Sequence, residues 1–355
     1  PVPDPEGNIN PNWVKYLPFG LQATGQLPHL TELTMYEVVK AENNQVLLRH
    51  EVPNLYKLEK LFTVDEKLGS LKMLIKVTNL SQLQLSDKIE LIVYGHQPSD
   101  AGGWSIFNPL PDITETICYA SGEAERAPRD DAKEGAEISG PVTWGGVDSR
   151  YFITSVIDAG QPFAGCEFSL QEEEFFKTEM ALAPLSRAAG ETRTWDMQTY
   201  IGPKLVEAMT PYNIELEESI DYGFFAVLSR PIRWGLVIFY GFVGNWGLAI
   251  IFLTVALRLL LFPLNHYGYK SMEGMRTIAP MMEKIKADFP DDPERQQREI
   301  LKLYQENGVN PFGCLPTFLQ IPIFFALYRT IYSSVELYHA NFYLWYTDLS
   351  APDPY

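Results

Sequence analysis

From Trp234 to Leu257 the chain runs 24 residues without a charge, and the apolar run resumes after Arg258 as Leu259-Leu260-Leu261-Phe262. A second charge-free stretch extends from Asn307 to Tyr328. A bilayer core of about 30 Å needs about 20 mainly apolar helical residues to cross it. Inside lipid every backbone polar group has to be satisfied within its own helix. Both stretches therefore read as membrane-spanning helices, and nothing else in the sequence narrows the fold as much.

Gly241, Gly244 and Gly247 surround Asn245, so a break is expected there. Residues 220–243 carry Tyr222, Phe224, Phe225, Trp234, Phe239 and Tyr240 beside Arg230 and Arg233. That mixture suits the headgroup zone and reads as an interfacial amphipathic helix. The spans are then 244–264 and 311–334, the second bent at Pro316 and Pro322. Residues 265–310 between them read as a helical hairpin. Asp291-Asp292-Pro293-Glu294 opens its second helix with a cap and a first-turn proline, and Asn307-Gly308 closes it. Lys270, Arg276, Arg295, Arg298 and Lys302 flank the spans on the hairpin side, whereas residues 335–355 hold no Lys or Arg. The charge bias makes the hairpin cytoplasmic and puts the rest outside, with Arg230 and Arg233 counting against it.

Residues 1–219 follow a different pattern. Short runs such as Leu71, Met73, Ile75 and Val77, or Ile89, Leu91 and Val93, alternate in strand fashion between Asn-, Gly- and Asp-containing breaks. The fold class is a multi-domain α+β membrane protein. A large antiparallel β-sandwich is followed by α-helical transmembrane segments and a cytoplasmic helical hairpin. Ser121–Pro141, rich in Ala, Gly, Glu and Asp, reads as an exposed loop. Residues 230–355 hold equal numbers of cations and anions, so the net charge of −17 sits on residues 1–229. Such a domain is unsuited to nucleic acid, which needs basic surface. The cysteines have no metal-ligand spacing, and no metal or other cofactor is expected. Cys118 and Cys166 read either as a disulfide, if that half is extracytoplasmic, or as two buried free thiols; the free thiols are favoured because Cys is often simply core.

Arg258 is the residue to explain. Arg at the centre of a spanning helix costs at least about 2.5–3.5 kcal/mol, and neither span offers it a carboxylate. It either snorkels to the headgroups or faces a water-filled cavity where its guanidinium can serve a guest. Thr254 lies one turn earlier on the same face. Thr317, Gln320 and Tyr328 of the second span could line the same cavity or bond helix to helix. Arg329, near the outer end, reads as snorkelling. Met272, Met275 and Met282 give the hairpin a soft apolar face for varied partners, or simply pack its two helices.

Nucleotide-binding, hydrolase and metalloprotease signatures are absent from the sequence, which reads as that of a non-enzyme. The alternative reading is a membrane-tethered glycan-binding β-sandwich, with an aromatic cleft around Trp104 and Trp144. A channel or transporter would show inverted repeats and paired intramembrane charges, and neither is visible.

Several strings together resemble one family. Phe242-Val243-Gly244-Asn245-Trp246-Gly247 leads into Leu257-Arg258-Leu259-Leu260-Leu261-Phe262-Pro263-Leu264. Val309-Asn310-Pro311-Phe312-Gly313-Cys314-Leu315-Pro316 runs on to Gln320-Ile321-Pro322-Ile323-Phe324, and Asp348-Leu349-Ser350 and Asp353-Pro354-Tyr355 follow. Together these look like the YidC-type membrane protein insertases of bacteria. The match is specific over residues 220–355 and weaker in the sandwich, through Tyr200-Ile201-Gly202-Pro203. The resemblance implies a multi-pass protein of the bacterial inner membrane with a large periplasmic domain. It implies that an arginine on the first core span, here Arg258, faces a hydrophilic groove that takes the polar tail of a client, without nucleotide hydrolysis. It implies nascent membrane proteins, the phospholipid bilayer, the Sec translocon and the ribosome as partners. It also implies spans before Pro1 and after Tyr355, so this chain is expected to be part of a longer protein.

Overall fold

The structure is a computed structural model that describes residues 16–25, 27, 30–66, 69–98, 114–290, 292–308 and 315–351, excepting the side chains of 271, 315–317 and 319. It divides into two units, Pro1–Ile220 and Asp221–Tyr355.

The first unit is a large antiparallel β-sandwich. Its strands are β1 (Gly20–Thr24), β2 (Glu37–Glu42), β3 (Gln45–Val52), β4 (Tyr56–Asp65), β5 (Ser70–Asn79), β6 (Leu85–His96) and β7 (Glu115–Ala120). They continue as β8 (Glu123–Ala127), β9 (Ala136–Asp148), β10 (Phe152–Asp158), β11 (Phe163–Gln171), β12 (Phe175–Ala181), β13 (Leu185–Arg187) and β14 (Thr192–Pro203). The hydrogen-bonded order is β1-β6-β12-β11-β9-β10-β14-β5-β4-β3-β2. The long strand β9 joins the two layers. Its first half pairs with β11, its second half with β10 and β7. The face of β6 and β12 lies across that second half: Thr178 Oγ1 donates to Gly146 O at 2.6 Å, although the two are not strand partners. A Cβ on Gly95 would collide with Val147, so glycine lets the layers close there. Alternation along β5 buries Met73, Ile75 and Val77, which join Leu58, Ile89, Phe163, Phe168 and Phe176 in the core.

Two expectations fail here. Ser121–Pro141 is not a loop. It forms β8, a short helix α1 (Arg129–Glu134) and the start of β9. Small residues hid the alternation, because Ala127 and Ala132 are the buried positions. The cysteines are not free thiols either. Cys118 on β7 and Cys166 on β11 are disulfide-bonded within the core, with Cα atoms 6.7 Å apart. Both strands flank β9, which brings residues 48 positions apart together.

Beyond β14, α2 (Val206–Met209) and two 3₁₀ turns are held to the sandwich by buried charge. Asp148 receives Arg126 at 2.7 Å and Lys204 at 3.0 Å. Arg126 Nη2 donates on to Ser219 O at 2.6 Å, and Trp144 Nε1 to Ile214 O at 3.0 Å. Trp144 is fully buried and stacks on Tyr119, so it does not line the aromatic cleft of the glycan-binding alternative; Trp104 lies outside the described residues.

The second unit is helical: α3 (Ala226–Val243), α4 (Trp246–Asp288), α5 (Pro293–Glu306) and α6 (Leu315–Ser333). Gly244, at φ 64°, ends α3 in the left-handed region, and Asn245 Oδ1 caps α4 by accepting from Leu248 N at 3.1 Å. Asp292 caps α5, with Pro293 in the first turn, and Asn307 and Gly308 (φ 63°) stop it. No stop occurs near residue 264, so α4 runs unbroken from the first apolar stretch into the first arm of the hairpin. Its 43 residues span about 65 Å, roughly twice a hydrocarbon core. Among the described residues α3 and α4 are long and apolar enough to cross a membrane. Ile232 and Leu236 pack α3 on Ala249 and Leu253 of α4 and on Ala326 of α6.

Two stability predictions follow from the sandwich. Replacing Cys118 and Cys166 by Ala should lower stability by about 2–4 kcal/mol, as expected for opening a loop of this length. Calorimetry of oxidised and double-mutant protein reads it, and equal midpoints would contradict a structural bridge. Lys60 is buried, donates to Phe19 O at 2.8 Å and lies 4.3 Å from the Tyr36 ring centre. Burial lowers its pKa from 10.5 to about 7. Between those values the unfolded chain holds a proton that the folded chain lacks. Stability should thus rise with pH from about 7 to 10.5, by up to about 1.4 kcal/mol per unit from this group. Denaturation of Lys60→Met across that range should lack this contribution to the slope.

Candidate functional site

Thr254, Leu257, Arg258 and Leu261 recur at i, i+3, i+4 and i+7 on α4. Gln320, Ile323, Phe324 and Leu327 recur in the same way on α6. Each set makes one helical stripe. The two stripes line a shared, open cavity of about 90 Å³ whose wall is almost wholly apolar. Among the described residues eight line it, and Thr254, Arg258 and Gln320 are the polar ones.

Thr254 Oγ1 is occupied, donating to Ile250 O at 2.8 Å one turn back. Arg258 and Gln320 have no hydrogen-bond or ion-pair partner among the described residues. Arg258 therefore sets a charged residue against an almost wholly apolar wall, with nothing in the described chain to neutralise it. Such a site can attract an anion and offer hydrogen bonds; it holds no nucleophile or general base for covalent chemistry.

The other expected residues are placed differently. Tyr328 is partly exposed beside Tyr332 and does not line the cavity. The Thr317 side chain lies outside the described residues. On the hairpin, Tyr304 Oη donates to Met282 Sδ at 3.7 Å, so Met282 packs α4 on α5. Met275 is half-buried and Met272 exposed.

Arg329 does not snorkel. Its guanidinium pairs with the Asp221 carboxylate, and its Nε donates to Asp221 O at 3.2 Å. Arg233 of α3 pairs with Glu336 just beyond α6. The two pairs are crossed, with the acid before α3 bound to a base on α6 and a base on α3 bound to an acid after α6. Ser229 Oγ donates to Ala326 O at 3.3 Å, and Thr330 Oγ1 to Ser229 O at 3.3 Å, between them. This tie fixes α3 against α6 at the end of α6 remote from α5. Sequence reasoning missed it because the partners lie about a hundred residues apart.

Two family models match the chain. One is described as the YidC periplasmic domain, over residues 10–235, and the other as the 60Kd inner membrane protein, over residues 238–355. A membrane protein insertase YidC from Anaeromyxobacter dehalogenans is 35% identical over 353 residues, covering 95% of this chain and 63% of the relative. Another from Geotalea daltonii is 32% identical over 301 residues, covering 84% and 56%. The chain thus spans about three fifths of the length of these curated relatives. Among solved structures, an active YidC insertase is 19% identical, with 89% of this chain and 78% of that chain covered and a TM-score of 0.32. A galactose mutarotase-like protein from Lactobacillus casei is 10% identical, with 47% and 72% covered and a TM-score of 0.35. Structural likenesses this slight carry no argument about the site.

The crossed ion pairs yield a prediction. Asp221→Arg or Arg329→Asp alone should loosen α3 and speed proteolysis near residue 225, whereas the two together restore protection. Limited proteolysis in detergent reads this. A double variant no better protected than either single one would contradict a direct pair.

Proposed function

The chain belongs to the YidC family of membrane protein insertases, and from that membership we propose that its helical unit helps client transmembrane segments into the bilayer by lending them the Arg258 cavity. The observation that carries this reading is a guanidinium without a partner among the described residues, lining one cavity with Thr254 and Gln320. A client brings an acidic or polar flank that resists entering hydrocarbon. A carboxylate 4 Å from Arg258 gains at most about 4 kcal/mol at an effective dielectric of 20, before desolvation. Waters in the cavity solvate the rest of the flank, so the polar part is never transferred bare. The client's apolar segment then moves sideways into lipid, and its own burial drives the step. No nucleotide is consumed in this scheme.

In this reading the sandwich is periplasmic, the chain is multi-pass in the bacterial inner membrane, and the α4–α5 hairpin is cytoplasmic. Of the two arginines that count against that orientation, Arg233 is neutralised by Glu336. The hairpin keeps Lys270, Arg276, Arg295, Arg298 and Lys302, in keeping with the positive-inside rule. A disulfide in the sandwich suits an oxidising compartment. Exposed Met272, with Met275, would meet incoming clients near the cavity mouth. The Sec translocon and the ribosome are the assemblies through which clients would arrive.

Insertion of a single-span client with an acidic N-terminal tail, measured in the full-length protein, tests the mechanism. Arg258→Lys should retain most activity and Arg258→Ala should lose it, while an uncharged tail lessens the difference. Equal insertion by Arg258→Ala would remove charge attraction from the account.

A further inference from the structure

Beyond α6 the chain doubles back into a closed loop. Asp348 Oδ1 accepts from His339 N (3.1 Å), Ser350 N (2.8 Å) and Ser350 Oγ (2.7 Å), and His339 Nδ1 lies 3.0 Å from Asp348 Oδ2. Within this clasp Leu349 N donates to Ala340 O at 3.0 Å, Phe342 N to Tyr346 O at 2.9 Å and Tyr346 N to Tyr343 O at 3.2 Å. The apex is Tyr343-Leu344-Trp345. These three side chains are exposed by 54%, 85% and 55%.

Leu344 sits at φ 59°, in the left-handed region. A residue with a Cβ there costs roughly 1–2 kcal/mol, and glycine or asparagine is the usual occupant. A leucine held in that conformation with its side chain in water would be unfavourable twice over. The arrangement makes sense if the apex faces something apolar.

The base of the loop fixes its depth. Asn245 Nδ2 donates to Asn341 O at 3.2 Å and to Phe342 O at 3.5 Å. The Phe342 ring fills the space where a Cβ on Gly247 would stand. The loop is therefore bound to the first turn of α4, where the proposed span 244–264 begins. Tyr and Trp prefer the boundary between headgroups and hydrocarbon, where an apolar ring and a polar edge are both accommodated. Residues 335–355 hold no Lys or Arg, so attraction to anionic headgroups is not what seats them.

We propose that the Tyr343-Leu344-Trp345 apex is an interfacial anchor that inserts into the headgroup boundary of the outer leaflet and pins the α6 end of the helical unit at that depth. This rests on the reading of α4 as a span. Its occupant is phospholipid, as suits a narrow protruding apex of aromatic residues.

A fluorescent label that brightens and shifts to the blue in apolar surroundings tests it, attached to Leu344→Cys in a Cys314→Ser background. The full chain is reconstituted into vesicles of phosphatidylethanolamine and phosphatidylglycerol. Val255→Cys, exposed on the middle of the proposed span, serves as the deep reference, and Tyr343→Cys repeats the measurement should position 344 not tolerate the label. At 344 the emission should shift to the blue and be quenched more by lipids carrying a nitroxide near the headgroup than near the chain end. Position 255 should show the reverse order. Water-like emission at 344, with 255 quenched, overturns the anchor alone. A blue shift at 344 without quenching by either lipid also overturns it and assigns the apex to a protein partner. Quenching at neither position overturns the span reading and the anchor with it.

Discussion

A guanidinium in the otherwise uncharged first half of α4 is the constraint around which the helical unit is organised. Arg258 cannot lose its proton, and the described chain gives it no carboxylate. Its charge is then left to headgroups, water or a guest. Helices α4 and α6 face their two cavity-lining stripes toward each other and leave space between them. A tightly packed interface of leucines would be more stable and would have no place for the arginine.

Such a gap is tolerable only if the helices around it are held elsewhere. The crossed pairs Asp221–Arg329 and Arg233–Glu336 hold α3 to α6, and Ile232, Leu236, Ala249, Leu253 and Ala326 pack the three helices together. Ion pairs at a bilayer boundary act in a medium less polar than water, where they are worth more than at a soluble protein's surface. Arg233 and Arg329 are thus paired with acids, whereas Arg258 has no such partner among the described residues.

Much of this was legible locally. Asn245 after Gly244, Asp292 before Pro293 and Asn307-Gly308 each mark a helix end through their own chemistry, and the structure ends helices at each of them. The Thr254–Arg258 stripe was visible because residues four apart share a helical face. The features that were not legible depend on distant partners. Nothing near Arg329 announces Asp221, and nothing near Cys118 announces Cys166. Residues 121–141 were misread for a different reason: their buried positions are alanines, too small to raise the apolar signal, so the strand and helix there are set by tertiary context. The closed loop after α6 was also missed, since its clasp between His339 and Asp348 is a matter of side-chain geometry.

The central claim is that the Arg258 stripe is wet while the rest of the same helix faces lipid or protein. Single cysteines placed along residues 251–264, each exposed to a small charged thiol reagent in membranes, test it most directly. The account predicts reactivity that peaks at 254 and 261, one turn to either side of Arg258, with positions 252, 255 and 259 protected. Uniform protection along the span, or reactivity without helical period, would contradict a hydrated cavity.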